Sequence, residues 1–367
     1  MEFQEVVAWS YEDMPKIAQH HIDTHDHMVP IKQKLRRMRT EWLLKIKEEV
    51  TKQLKIGFIK PIHQAKWITN VVPVPKKDGK VKMYVDFRDL NKEWPKDDFP
   101  LSHIDVLVDN TAGSAFMSFM DGFSRYNQIK MTPKDMTKTT FTTEWGIYYY
   151  TVMPFRLKNA RATYQSMATT LLHDMMHNEV EVYVDDMIVK SKDKESHIIN
   201  MRKFFERIKD YRLRLNPQKC TFSVTAGKLL GFLVSNKGIE VDTSKIKAIL
   251  EMPPLRSEKE ISSFLGWLQY ISRFITKLTS TCEPTFKLLR KNEPHTWNDE
   301  CQKVFELIKE YLLHPPILMP PQYGKPFLVY LSIIGDEVGS MLAQEDNDKN
   351  ERVIYYLSKR FHDYETR

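Results

Sequence analysis

Two adjacent aspartates constrain this chain more than any other feature. Asp185 and Asp186 sit inside Val180-Glu181-Val182-Tyr183-Val184-Asp185-Asp186-Met187-Ile188-Val189. β-Branched and aromatic residues flank the pair on both sides, which predicts a hairpin with a carboxylate turn. Adjacent carboxylates repel, and apolar neighbours raise the cost of their charge. A divalent cation would remove the conflict. The plain alternative is an Asp-Asp turn with no chemistry, because Asp is a common turn residue. What else the chain supplies decides between the two.

Three upstream blocks supply it. Phe116-Met117-Ser118-Phe119-Met120-Asp121-Gly122-Phe123-Ser124-Arg125-Tyr126 is a second apolar run ending in a carboxylate, and Gly122 permits a chain reversal there. Val152-Met153-Pro154-Phe155-Arg156-Leu157-Lys158-Asn159-Ala160-Arg161-Ala162-Thr163-Tyr164-Gln165 follows. Lys76-Lys77-Asp78-Gly79-Lys80-Val81-Lys82-Met83-Tyr84-Val85-Asp86-Phe87-Arg88-Asp89-Leu90-Asn91-Lys92 precedes both. In order and spacing, the four blocks resemble the reverse transcriptase of gypsy-class LTR retrotransposons, especially their plant members. The resemblance runs from about the first twenty residues to the end.

The resemblance implies an α+β, right-hand polymerase of fingers, palm and thumb. It carries an antiparallel palm sheet, connection helices and a partial RNase H-like sheet. The expected division is a lead-in over 1–40, fingers and palm over 41–235, thumb and connection over 236–320, and a truncated RNase H-like region over 321–367. Strands and helices that mix without a regular βαβ rhythm favour α+β on their own account. The implied activity is RNA-directed DNA polymerisation. Its implied partners are an RNA or DNA template with its primer and deoxynucleoside triphosphates, and no membrane.

Nucleotide addition is an in-line displacement at phosphorus, which two hard ions can assist. Such ions prefer carboxylate oxygen, so Mg²⁺ is the natural choice and Mn²⁺ a possible substitute. By resemblance, Asp121 and Asp185 bind metal directly, Asp186 completes the site, and the Gly122 carbonyl is a further ligand. Lys76, Lys82 and Phe155 match substrate-binding positions of the family. Tyr126 matches the aromatic that limits room beside the sugar 2′ carbon, favouring deoxynucleotides by exclusion. Lys219 resembles a palm lysine that donates a proton to pyrophosphate, and reads equally as an exposed lysine before a strand. Gly231-Phe232-Leu233 resembles the primer-gripping strand, and the helices after Ser257 resemble thumb and connection.

Several positions depart from the family. Arg125 and Arg156 stand where it usually has Gly, Arg161 where it has Gly or Pro, and Tyr84 where it has Cys. Lys82 stands where it often has Arg, losing the bidentate fork. Ser332 takes the place of the first RNase H aspartate, and the chain ends at Arg367, before the remaining acidic motifs. The expectation is an incomplete RNase H fold without nuclease activity, in a fragment of a polyprotein. Each Gly-to-Arg or Cys-to-Tyr change can arise by one G-to-A transition, which suggests a decayed copy. A weak or dead enzyme that keeps its fold and template–primer binding is the competing expectation.

Composition agrees without deciding. The chain has 55 basic and 48 acidic side chains, a net charge of +7, which suits a polyanionic partner. Cys220, Cys282 and Cys301 form no CxxC, so a reducing intracellular setting is expected, in cytoplasm or nucleus. No apolar run approaches the ~20 residues that span a bilayer. His20, His21, His25 and His27, with Asp23 and Asp26, read as a solvated polar segment of the lead-in. The basic run Lys32 to Arg39 reads as a phosphate contact, a nuclear address or a solvated face. Helices are expected from Thr40 as cap to Gly57, over His197 to Leu213, and after Ser257 with Glu260 completing a capping box.

Overall fold

The computed structural model describes residues 3–9, 18–24, 29–75, 81–100, 102–255, 257–288, 297–335 and 337–361. The chain forms two compact units. One comprises Met1–His103 and Ser118–Ser223; the other comprises Ile104–Met117 and Val224–Arg367.

The first unit is built on two sheets. Its four-stranded sheet has the order Thr221–Val224, Phe116–Asp121, Asp186–Ser191, Val180–Tyr183. The last two pair antiparallel, with Asp186 opposite Tyr183 and Val189 opposite Val180. The inward residues of these strands, among them Met120, Val180, Val182, Met187 and Val189, are buried in one apolar core. A five-stranded sheet has the order Ile59–Pro61, Gly146–Tyr150, Phe141–Thr143, Thr69–Pro75, Val81–Val85. Its Thr69–Pro75 and Val81–Val85 strands pair antiparallel, in register from Val71 opposite Val85 to Pro75 opposite Val81. The tip, with Lys76, lies outside the described residues.

Among the described residues of this unit, three α-helices run to more than ten residues. Thr40–Lys55 buries Ile46 and Val50 and ends before Gly57, whose φ of +74° suits a residue without Cβ. Thr40 does not cap it. Arg39 holds the capping position with no side-chain bond, and Thr40 is the first helical residue. Ala160–Leu172 follows the Arg156 block. Lys194–Asp210 begins three residues before the expected His197, because Asp193 caps it by accepting from Ser196 N at 2.8 Å. Phe204 and Ile208 of this helix are buried, but Ile198 is exposed. His197 takes an interior position instead, between Ser118 Oγ at 2.8 Å and Ser191 Oγ at 3.1 Å. A polar residue can turn inward where the facing strands offer it hydroxyls.

The lead-in is also more structured than its composition suggests. Ala18–His20 adds as a parallel strand to Ile129–Met131. His20 and Ile22 are buried, which corrects the solvated reading of this segment. Backbone pairing and two hydroxyls supply the partners that water would have given: Thr163 Oγ1 lies 2.7 Å from His20 Nδ1, and Thr132 Oγ1 lies 2.9 Å from His21 Nδ1. His25, Asp26 and His27 lie outside the described residues.

The second unit contains an antiparallel three-stranded sheet, Ala226–Leu229, Phe232–Ser235 and Gly238–Val241. Gly231 has a φ of +86°, and a Cβ there would run into the Tyr270 hydroxyl. The Glu258–Tyr270 helix carries the expected Ser257–Glu260 capping box and buries Ile261, Phe264, Leu265 and Leu268. Asp299–Tyr311 buries Cys301, Phe305 and Ile308. Leu328–Ile334, Glu337–Glu345 and Glu351–Arg360 form a second antiparallel sheet, in that order.

Candidate active site

The site lies at one end of the four-stranded sheet. The Phe116–Asp121 and Asp186–Ser191 strands are neighbours, so Asp121 closes one strand beside the start of the next. Val184 and Asp185 form the turn, and Val184 has a left-handed φ of +50°. A β-branched residue is costly there. Gln165 offsets the cost from the Ala160–Leu172 helix. Its Oε1 accepts from Val184 N, and its Nε2 donates to Val182 O at 3.1 Å. This buried amide grips both sides of the turn, a role that the sequence reading had not assigned. A glutamine at a buried position of an otherwise apolar helix face was the available signal.

Asp121 is anchored by its backbone. Its carbonyl accepts from Asn216 N at 2.8 Å, and its N–H points to Cys220 Sγ at 3.4 Å. Gly122 matters here for space rather than for a special backbone angle: a Cβ would lie 2.9 Å from Tyr164 Oη. The reversal after the strand uses Ser124 instead, at φ +49°.

One cation dominates the site. The Arg125 guanidinium hydrogen-bonds Asp121 Oδ2 through Nη2 and pairs with Asp185 Oδ2 through Nη1. Lys219 Nζ stands 3.8 Å from Asp121 Oδ1. Burial pushes the Asp185 and Asp186 carboxyls above the ordinary carboxylate range, and Arg125 opposes this at both. Burial works against the Arg125 charge too, but its bonds to Asp121 and the nearby Asp185 outweigh burial and hold it firmly protonated.

Tyr126 is buried beside this cluster, edge-on to Phe155 at 5.1 Å and to Tyr164 at 5.8 Å. Burial, reinforced by Asp185, raises its hydroxyl to about 12, against the pull of Arg161, which hydrogen-bonds it. A cavity of about 390 Å³ opens next to it, lined in part by Lys82, Tyr84, Ser124, Asn127 and Phe155. Lys82 Nζ sits 4.1 Å above the Phe155 ring and 5.0 Å from the Tyr84 ring. Two carboxylates bridged by Arg125, with Asp186 beside them, an aromatic wall and a lysine-bearing cavity together suit a phosphorylated ligand.

Residues 74–234 match the family described as reverse transcriptase (RNA-dependent DNA polymerase). Residues 297–367 match the RNase H-like domain found in reverse transcriptase. The chain is 30% identical over 313 residues to the transposon Tf2-3 and Tf2-4 polyproteins of Schizosaccharomyces pombe. The match covers 85% of this chain but 23% of each polyprotein, so the chain spans about a quarter of those relatives.

The solved structures agree on the fold of the reverse transcriptase. Foamy viral protease-reverse transcriptase bound to double-stranded DNA superposes with a TM-score of 0.84, at 21% identity, over 96% of this chain and 63% of that one. The form bound to an RNA/DNA hybrid gives a TM-score of 0.81, at 21% identity, over 97% of this chain and 49% of that one. The chain thus has the α+β reverse-transcriptase fold, with an RNase H-like region at its C-terminal end.

The reverse-transcriptase domain brings Asp121, Asp185, Asp186, Tyr126, Phe155 and Lys82 into one neighbourhood, while Lys76 lies outside the described residues. Their suitability for a metal is mixed. Asp121 Oδ1 and Asp185 Oδ1 are buried oxygens without a hydrogen-bond partner, as a hard cation would want. Yet among the described residues no group of three or more His, Cys, Asp or Glu is disposed to hold an ion. The donors fit Mg²⁺ in kind, while the Arg125 guanidinium occupies one oxygen of Asp121 and one of Asp185.

All three unusual arginines find partners around this site. Arg125 takes Asp121 and Asp185, Arg161 takes the Tyr126 hydroxyl, and Arg156 stacks on Tyr84 with 4.3 Å from Cζ to the ring centre. Among the described residues no helix is long and apolar enough to cross a membrane. Cys220, Cys282 and Cys301 are free thiols.

Proposed function

We propose that this chain is the RNA-directed DNA polymerase part of an LTR retrotransposon polyprotein, acting inside the cell, in cytoplasm or nucleus. It extends a primer 3′-OH with deoxynucleotides on an RNA or DNA template. The observation that carries this reading is the convergence of Asp121, Asp185 and Asp186 at one end of adjacent strands. Asp121, Asp185 and Asp186, with the Gly122 carbonyl, are the groups that would hold Mg²⁺ or Mn²⁺, which when bound supplies positive charge at the reacting phosphate. Lys82 and Lys76 attract the triphosphate, Phe155 packs against the incoming nucleotide, and the Tyr126 ring excludes a 2′-hydroxyl. Fingers and palm over 41–235, thumb and connection over 236–320, and the RNase H-like region over 321–367 remain the functional division. The foamy viral relatives hold double-stranded DNA and an RNA/DNA hybrid, which supports a primed duplex as partner here.

A second reading has its own support. The Arg125 bridge across Asp121 and Asp185 favours a copy that binds template–primer but extends it poorly. Primer extension with Mg²⁺ on a primed RNA template separates the readings, with duplex binding measured beside it. Asp185→Asn should abolish extension and largely spare binding. Extension should be weak in the native chain and should recover when Arg125, Arg156 and Arg161 are all changed to Gly. Binding without any extension in the triple variant would leave only the second reading. With Ser332 in the first RNase H position, no cleavage of an RNA/DNA hybrid is expected.

A further inference from the structure

We propose that Arg125 is a tethered cation that stands in for the divalent ion of its own active site and keeps the site closed to metal. This rests on the polymerase reading of the carboxylate cluster and concerns how that site is regulated.

The geometry is specific. Arg125 follows Asp121 by four residues, and its two terminal nitrogens reach the end of one strand and the neighbouring hairpin turn, Nη2 to Asp121 and Nη1 to Asp185. A guanidinium is planar, always charged and forked, so it can bridge two carboxylates as a hard ion would. The turn that aims it is fixed. Ser124 holds a left-handed φ, and Gln128 locks the following turn by donating to Phe123 O at 2.7 Å and Arg214 O at 3.0 Å while accepting from Arg214 N at 2.9 Å. The acceptors are fixed as well, Asp121 by Asn216 and the hairpin by Gln165. Arg125 is only 23% exposed, so its bonds are poorly screened by water.

Electrostatics then opposes metal entry. Arg125 and the nearby Lys219 compensate most of the charge of the carboxylate cluster, so little net attraction remains for an ion carrying two charges. Each ion must also displace the guanidinium from an oxygen that it needs. Asp121 Oδ1 and Asp185 Oδ1, the oxygens Arg125 leaves unbonded, mark what the cluster lacks.

Binding of Mn²⁺ alone, followed by the electron paramagnetic resonance of the free ion, tests this on the full chain without reference to activity. The native chain should show no saturable site up to about 1 mM. Arg125→Gln, similar in length and neutral, should bind about tenfold tighter or better. That site should vanish when Asp185→Asn is added. Mg²⁺ should raise the melting temperature of Arg125→Gln and leave the native chain unmoved. Arg125→Lys keeps the charge and should stay closed, which separates charge from bulk. Native binding as tight as that of Arg125→Gln would overturn the proposal. So would an Arg125→Gln protein that folds, binds primed duplex and still takes up no Mn²⁺. If Arg125→Gln binds Mn²⁺ but neither it nor the triple variant with Gly at 125, 156 and 161 extends a primer, the tethered-cation proposal stands and the polymerase reading fails. If the native chain extends primers robustly with Mg²⁺, the polymerase reading stands and this proposal fails.

Discussion

Arg156 lays its guanidinium over the ring of Tyr84, 4.3 Å from its centre. Arg156 carries a left-handed φ of +74°, which favours glycine. The stack and the bond from Asn91 Nδ2 to Arg156 O, at 2.8 Å, offset that cost. Arg156→Ala keeps the strain and loses the stack, so it should destabilise by about 0.5–1 kcal/mol. Arg156→Gly should recover about 1 kcal/mol relative to Ala by relaxing the backbone. Urea unfolding of both variants, with and without Tyr84→Cys, checks this. Equal losses at Ala and Gly would show that the backbone angle carries no strain.

Gly122 should tolerate no side chain while Tyr164 keeps its hydroxyl. The added Cβ would meet Tyr164 Oη at 2.9 Å, and Tyr164 is fully buried with no hydrogen-bond partner for that oxygen. Gly122→Ala should cost about 1–3 kcal/mol. Tyr164→Phe alone should be close to neutral, because it removes an unsatisfied polar atom. The double variant should recover most of the Gly122→Ala loss in a thermal unfolding comparison. A purely additive pair would refute the contact.

His20 should make stability fall in mild acid. Burial, followed by His21, lowers its pKa from 6.5 to about 4 against the opposing pull of Asp135 and other acids. The unfolded chain therefore binds the proton first as pH drops. The contribution is complete above pH 6.5 and is lost as pH falls toward 4, by up to roughly 3 kcal/mol. Denaturant midpoints between pH 7 and pH 4 measure it. His20→Gln should flatten that part of the profile, and an unchanged slope would remove His20 as its source.

Arg273 should be the most costly single charge to remove from the second unit. It is buried, with Nη1 3.1 Å from Asp105, Nη2 2.7 Å from Asp109, and its Cζ 5.1 Å from the Tyr355 ring centre. Burial already pushes Asp109 upward, with Arg273 holding it back. Arg273→Met should cost about 2–3 kcal/mol by leaving the half-buried Asp109 carboxylate uncompensated. Adding Asp109→Asn should return part of that. No recovery would mean that Arg273 contributes by packing alone.

Local patterning was enough to find the strands that carry the carboxylates, the turn between them and the capping box at Ser257. Those features depend on side-chain alternation, turn chemistry and pairs three residues apart, all written in a few consecutive residues. The same residues did not reveal where long or buried polar side chains would go. Arg125 reads as an obstruction beside a nucleotide pocket, yet it bridges Asp121 and Asp185, which are 64 positions apart from one another in the chain. Gly122 reads as a reversal, yet it makes room for Tyr164. His20 reads as solvated, yet Thr163 draws it into the core. Each of these outcomes depends on a partner far away in sequence. A flexible side chain takes the partner that its packed neighbours offer, and the assembled fold, through strand order and helix placement, sets which partners are within reach.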